Sequence, residues 1–383
     1  MKNLLFYYTC DISPTSGGVQ RVVALQFYEL SQRGYHIFTV YGKKTGAKDL
    51  IPEQYQLPDS DEKRLYTVAN IAYIRKFVLE KRIDIVLNFA AVFNKSSLCL
   101  VEACSEVGTP IISVLHNTLE LPLWNMPIVK ALMEYPFARA IFRKLISIIH
   151  KNPCYKGACY IYKHAAFTVV LAPCYVKEFK AIVTKNPKNI TYIYNPLSLP
   201  PATELSWIDK QQIALFVGRL ERPKAIDKLI KIWKKLNKQS WKLFIIGSGS
   251  QEQYLKGLVK KYNLTDSIVF MGYCSPIPYY RVAKIFCLTS IYEGYPMTLI
   301  ECQSYGVVPV IYDSFASACD VIETGKNGVV VPAFREDKYI EALNQLMDND
   351  DKLQQMSVQC RMEAERYSVS PIIDQWVSLI ENI

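Results

Sequence analysis

No apolar run in the 383 residues approaches the roughly 18 that a helix needs to cross a bilayer, so no membrane-spanning helix is read from the sequence. The Leu4–Thr9 stretch lacks the basic flank and small-residue cleavage site of a secretory leader. It reads as the first strand of a cytoplasmic protein. Eleven cysteines are an odd number without a Cys-x-x-Cys pair, a scatter that suits a reducing compartment better than a disulfide framework. Histidine is scarce, and no second histidine or carboxylate stands at metal-ligand spacing, so no metal site built from the protein alone is expected. Aromatic-basic recognition motifs, helix-turn-helix patterns and zinc-finger spacings are also missing, and nucleic acid is not an expected partner.

What is present is apolar bulk and unevenly placed charge. A hydrophobic content of 50% over 383 residues can bury two cores of ordinary domain size. Residues 1–200 hold 24 Lys and Arg against 14 Asp and Glu, whereas residues 201–383 hold 21 against 21. Within 121–190 the balance is 11 against 2. A positive field confined to one domain draws an anionic surface or acceptor. In Ala138–Ile149, Ala138, Ile141, Phe142, Leu145, Ile146 and Ile149 recur at helical spacing, with Arg139, Arg143 and Lys144 elsewhere on the wheel. Such a helix lays its stripe either on its own domain or on an anionic membrane surface.

Short β-branched and aromatic runs alternate with helical patterns, which predicts an α/β fold of parallel strands joined by crossover helices. The expected strands of the first half are Asn3–Thr9, His36–Tyr41, Asp84–Asn88, Pro110–Leu115, Phe167–Leu171 and Thr191–Tyr194. Gly17 and Gly18 stand where the first strand turns into a helix, a place where glycine lets backbone approach a phosphate or sugar closely. His116 directly follows a strand, and open α/β sheets bind ligands outside the carboxyl ends of their strands.

The proline-dense Leu199-Pro200-Pro201 stretch reads as a linker. Beyond it, strand Ile213–Val217 ends in Gly218-Arg219-Leu220, with Lys224 shortly after, and strand Leu243–Ile246 runs into Gly247-Ser248-Gly249. The third glycine of a dinucleotide fingerprint is absent there, which argues against a nicotinamide enzyme. In Glu293-Gly294-Tyr295-Pro296-Met297-Thr298-Leu299-Ile300-Glu301 a loop runs into a helix, with Pro296 in the first turn. The amides of residues 294–298 would face outward together and offer donors and partial positive charge to a diphosphate. Glu293 and Glu301 accept hydrogen bonds from hydroxyls, which suits a sugar at one end and a ribose diol at the other. Arg219 and Lys224 supply cations that could neutralise a departing diphosphate.

Together, Gly218-Arg219-Leu220 with Lys224 and Asp227, Ile246-Gly247-Ser248-Gly249, a Phe270-Met271-Gly272 turn, and Ser290, Glu293, Gly294, Pro296 and Glu301 resemble family 4 retaining glycosyltransferases. Gly17-Gly18 and Gly325-Lys326-Asn327-Gly328 match that family too, including its bacterial surface-polysaccharide members. The resemblance implies the GT-B architecture of two Rossmann-like domains facing a central cleft. Residues 1–198 plus 369–383 would form the acceptor domain, with the last helix, about Pro371–Ile380, crossing back to it. Residues 199–368 would form the donor domain.

By the same resemblance, Arg219 and Lys224 hold the donor diphosphate, Glu301 the ribose and Glu293 the transferred sugar. The backbone of Gly294–Thr298 contacts sugar and phosphate, Gly218 and Gly247 belong to the donor loops, Gly18 approaches the phosphates, and His116 lies beside the sugar. One departure is Ala225, where the family usually has glycine. The implied activity is transfer from a nucleotide-sugar, a UDP-sugar on family frequency, to a glycan or lipid-linked acceptor, without a cofactor and with a possible anionic membrane contact through 121–190. Retention follows either from a Glu293 covalent intermediate or from same-face attack. A nucleotide-sugar epimerase and an inactive scaffold share the architecture. Acceptor-free conversion of the donor separates the first, and absence of any turnover separates the second.

Overall fold

The computed structural model describes residues 2–61, 65–90, 95–118, 153–183, 188–200, 202, 205–236 and 240–383. The amphipathic stretch 138–149 and the first part of the basic segment 121–190 lie outside them. The described residues divide into two units, one comprising those up to Ser198 together with Val369–Ile383, the other those within Leu199–Ser368.

The first unit opens with β1 (Asn3–Cys10), α1 (Gly18–Gln32), β2 (His36–Lys43), the short β3 (Gln54–Gln56) and α2 (Val68–Glu80). β4 (Ile85–Asn88), α3 (Lys95–Val107) and β5 (Ile111–Leu115) follow, then α4 (Pro153–His164), β6 (Phe167–Val170), α5 (Pro173–Ile182) and β7 (Ile190–Tyr192). The strands form one parallel sheet in the order β3-β2-β1-β4-β5-β6-β7. Leu4, Leu5, Phe6 and Tyr7 are all buried, as a central parallel strand covered on both faces requires. Strand order reverses between β1 and β4, which makes the crevice beyond their carboxyl ends the switch point of this sheet.

The second unit repeats the plan. β8 (Gln211–Val217), α6 (Ile226–Lys235), β9 (Lys242–Ile246), α7 (Glu252–Lys261), β10 (Ile268–Gly272) and the single-turn α8 (Ile277–Val282) lead to β11 (Ala283–Leu288). α9 (Met297–Ser304), β12 (Val308–Tyr312), α10 (Ala318–Val321), β13 (Val329–Val331), α11 (Glu336–Met347) and α12 (Asp350–Ala364) complete it. Its parallel order is β10-β9-β8-β11-β12-β13, so the switch point lies between β8 and β11. In α6 the residues Ile226, Leu229, Ile230, Ile232 and Trp233 are buried at helical spacing, while Asp227 and four lysines occupy the remaining positions.

The last helix, α13 (Val369–Glu381), packs in the first unit against α1, with Ile372, Ile373, Trp376 and Ile380 buried. Phe270–Gly272 is not the turn expected from the sequence. These residues end strand β10, because Ile268, Val269 and Phe270 pair with β9 and Gly272, at φ +71°, still pairs with Ile246 after a shift in register between Phe270 and Gly272. Among the described residues no helix is long and apolar enough to cross a membrane.

Candidate active site

The loops leaving β8 and β11 are sewn together at the switch point of the second sheet. Ile291 N donates to Pro223 O at 2.8 Å, and Thr289 Oγ1 donates to Ala225 O at 3.1 Å and Lys224 O at 3.3 Å. From the β12 side, Ser314 Oγ donates to Ser290 O at 2.6 Å and Ser317 Oγ to Gly294 O at 3.0 Å. The loop carrying Glu293 is thus pinned from both neighbours. Its backbone cannot drift without breaking several buried bonds, each worth about 1 kcal/mol net.

Lys224 and Glu293 meet inside this frame. Lys224 Nζ lies 2.6 Å from Glu293 Oε1, and Ser290 Oγ donates to the same oxygen at 2.6 Å. Arg219 is exposed beside them, and its charge bears on Tyr292 and Glu221. Glu221 in turn accepts from Ser250 Oγ and N, bonds that hold its carboxyl below the usual range with help from Arg219. Ala225 takes the left-handed conformation at φ +48° and caps α6. Alanine here adopts a glycine-like backbone and accepts its strain, about 1–2 kcal/mol.

The glycines divide by cause. A Cβ on Gly247, at φ +135°, would stand 2.0 Å from Gly218 O, so glycine is needed there for two backbones to pass, whatever binds above. Gly218 itself bonds through its N–H to Ile246 O at 3.0 Å. In the first unit nothing lies within 4 Å of where a Gly17 Cβ would be, so packing does not demand glycine at the head of α1.

Helix α9 starts one residue later than the sequence suggests. Pro296 is its cap, extended at ψ 103°, and Leu299 N already bonds to Pro296 O at 2.9 Å. Proline has no N–H, so the expected row of amides is interrupted at 296, and Met297 and Thr298 head the helix without intrahelical acceptors. The Tyr295 ring turns inward, where its hydroxyl donates to Tyr367 Oη at 2.8 Å, which leaves only its backbone to face the site. Glu301 lies one turn further on and is buried, with Tyr280 Oη 3.5 Å from its Oε2.

His116 follows β5 on the carboxyl edge of the first sheet, the edge on which Gly17 and Gly18 follow β1. It is 7% exposed, its ring lies 5.7 Å from that of Phe89, and among the described residues neither ring nitrogen has a hydrogen-bond partner. Burial pushes its pKa down to about 4, so the imidazole is neutral near pH 7. Thr289, Tyr280 and Lys210 carry no local sequence signature, being polar partners of distant segments, whereas Ser290 is legible three residues before Glu293.

Residues 203–361 match the family model described as glycosyl transferases group 1. The chain is 32% identical over 195 residues to an uncharacterized glycosyltransferase of Haemophilus influenzae, covering 50% of this chain and 55% of the other. It is 31% identical over 172 residues to the amylovoran biosynthesis glycosyltransferase AmsD of Erwinia amylovora, covering 45% and 48%. The chain therefore spans about half the length of the curated relatives it matches. Two solved structures share the fold over nearly whole chains. They are the lipopolysaccharide outer core galactosyltransferase WaaB in its apo form, at TM-score 0.73, 19% identity and 99% of both chains, and Anabaena HepE in complex with UDP-glucose, at 0.74, 15% and 100% of both. The fold is GT-B, two Rossmann-like domains, and the second of them, over residues 203–361, is similar to the glycosyl transferases group 1.

Proposed function

We propose that the protein is a retaining glycosyltransferase that moves a sugar from a nucleotide-diphosphate sugar, in the first instance a UDP-sugar, to a glycan or lipid-linked acceptor in surface-polysaccharide synthesis. The observation that carries this reading is the Lys224–Glu293 contact at the switch point between β8 and β11, beside the head of α9. A cation and a carboxylate fixed together beside free helix amides suit a ligand that is diphosphate at one end and polyhydroxyl at the other. AmsD, WaaB and the UDP-glucose complex of HepE support the donor and acceptor classes.

On this reading the bond between the anomeric carbon and the diphosphate oxygen breaks, and its electron pair leaves with the diphosphate. Lys224, Arg219 and the amides of Met297 and Thr298 stabilise that growing charge and lower the barrier where it forms. Glu293 holds the sugar hydroxyls, Glu301 the ribose diol, and Gly294 and Tyr295 contribute backbone. Gly18 and the neutral His116 stand on the carboxyl edge of the first sheet, the edge on which an open parallel sheet takes its ligand. These cations do the work of a metal, so transfer should survive chelation.

The charge of segment 121–190, 11 basic residues against 2 acidic, supports an anionic membrane or a lipid-linked diphosphate as the acceptor's setting. The test incubates the protein with UDP-, GDP- and ADP-sugars, with and without undecaprenyl-diphosphate glycan, in the presence of EDTA. Sugar transfer with retained anomeric configuration supports the reading, and absence of turnover with every donor overturns it. Flotation that ignores anionic lipid at low and moderate salt removes the membrane part.

A further inference from the structure

We propose that Lys210 is a positioning residue for Glu301, holding the ribose-facing carboxylate in place through two helix ends that its ammonium ties together. This rests on the reading of Glu301 given above. Lys210 immediately precedes β8 and is 8% exposed, and its Nζ donates to Tyr280 O and to Tyr305 O, each at 2.8 Å. Tyr280 lies in the last turn of α8, and Tyr305 caps α9. Both acceptors are thus carbonyls at helix carboxyl ends, where an ammonium satisfies orphan groups and offsets the dipole.

The same two tyrosines continue to the site. Their rings stack with centroids 5.8 Å apart and planes 28° apart, and Tyr280 Oη stands 3.5 Å from Glu301 Oε2. Tyr305 follows Glu301 by four residues, one turn along α9, and its hydroxyl donates to Pro200 O at 3.0 Å. Lys210 therefore fixes both the tyrosine that meets the carboxylate and the end of the helix that carries it.

Packing alone does not account for a lysine here. The ionisable groups that bear on its ammonium are Cys302 of α9 and Cys360 and Arg361 of α12, with no carboxylate among them, and burial pulls its pKa down to about 7. An apolar side chain of similar length would fill the space without that desolvation cost. What it would not supply is two directed donors between α8 and α9.

The test compares wild type with Lys210→Met in binding three probes, namely UDP, 2′,3′-dideoxy-UDP and inorganic pyrophosphate, with GDP or ADP pairs substituted if either binds better. Loss of a charge-assisted hydrogen bond to ribose is worth about tenfold or more, so wild type should favour the ribonucleotide by about that factor. In Lys210→Met that preference should fall at least about fivefold while pyrophosphate affinity moves less than about twofold. Tyr280→Phe should reproduce part of the fall, and Lys210→Arg, which keeps charge and donors, should restore it. These two variants carry the test should Lys210→Met not fold. An unchanged ribose preference in Lys210→Met, or in Tyr280→Phe, overturns the proposal while leaving the transferase reading intact. Wild type that binds nucleotide without ribose preference overturns the Glu301 assignment and the proposal with it, and wild type that binds no nucleotide overturns the function itself.

Discussion

Lys224 Nζ and Glu293 Oε1 stand 2.6 Å apart across the loops of β8 and β11, with side chains 20% and 11% exposed. One ion pair thus joins the group assigned to the diphosphate to the group assigned to the sugar. Lys224→Ala should lower transfer by about a hundredfold or more, the scale for removing one electrostatic stabiliser. It should also destabilise the fold by about 2 kcal/mol, because Glu293 keeps its buried charge without the partner. Lys224→Met combined with Glu293→Gln should recover most of the stability and none of the activity. Denaturant midpoints and initial rates on wild type, Lys224→Ala, Lys224→Met, Glu293→Gln and the double variant check this, and recovered activity in the double variant would refute the assignment.

Arg219 gives the opposite signature. It is exposed, so Arg219→Ala should leave the melting temperature within the scatter of a surface change, about 0.5 kcal/mol, while transfer again falls by about a hundredfold. Near-normal turnover would remove Arg219 from the site.

Gly247→Ala is expected to act through backbone rather than ligand. Its Cβ would meet Gly218 O at 2.0 Å, and no side-chain rotation relieves a clash with a carbonyl. Together with a residue forced to φ +135°, the cost should be roughly 3 kcal/mol, and donor binding should weaken because Gly218 begins the Arg219–Lys224 loop. Thermal unfolding and nucleotide titration measure the two effects. Full stability with selective loss of binding would instead place a ligand against Gly247.

What the sequence reveals of this site is local chemistry at strand ends. Gly218 and Arg219 close an apolar run, and Glu293 and Pro296 announce a loop entering a helix, so both loops could be read without coordinates. The hidden part is partnership at a distance. Lys210 looks like any lysine ahead of a strand, and only folding brings it to Tyr280 and Tyr305, 70 and 95 positions away. Phe270–Gly272 ends in glycine and suggests a turn, yet pairing with β9 extends the strand up to it. β3 has three residues, Gln54, Tyr55 and Gln56, with too few apolar side chains to declare a strand, and pairing with β2 defines it. The Tyr295 ring could face either way from its loop, and Tyr367 decides it.

His116 makes the protein acid-sensitive in a defined window. Burial lowers its pKa from 6.5 to about 4, so between those values the unfolded chain binds the proton that the folded chain refuses. The stability from this residue is fully present above pH 6.5 and is lost as pH falls toward 4, by roughly 3 kcal/mol in total. Histidine NMR should show a neutral ring down to about pH 4, and His116→Asn should flatten the slope of the denaturant midpoint across the window. A ring that titrates near 6.5 in the folded protein would contradict the buried placement.

The carboxyl-terminal helix should stabilise the first unit, although its sequence follows the second. Trp376 is 1% exposed in α13, flanked on the same face by Ile372, Ile373 and Ile380. Arg33 reaches Asp374 and Ser370 at 3.3 Å, Tyr35 donates to Glu381, and Lys2 Nζ donates to Ile380 O at 2.7 Å. These polar contacts are partly exposed and contribute little, so burial of the apolar face carries the docking. Trp376→Ala should therefore cost about 3–5 kcal/mol, the range for emptying an aromatic core position. Two domains need not unfold together, so one melting temperature would blur the effect, and hydrogen exchange by peptide is the sharper measurement. Faster exchange should appear in peptides from β1, α1 and β2 and spare those spanning 211–312. Acceleration confined to 211–312 would mean that the helix serves the second unit instead.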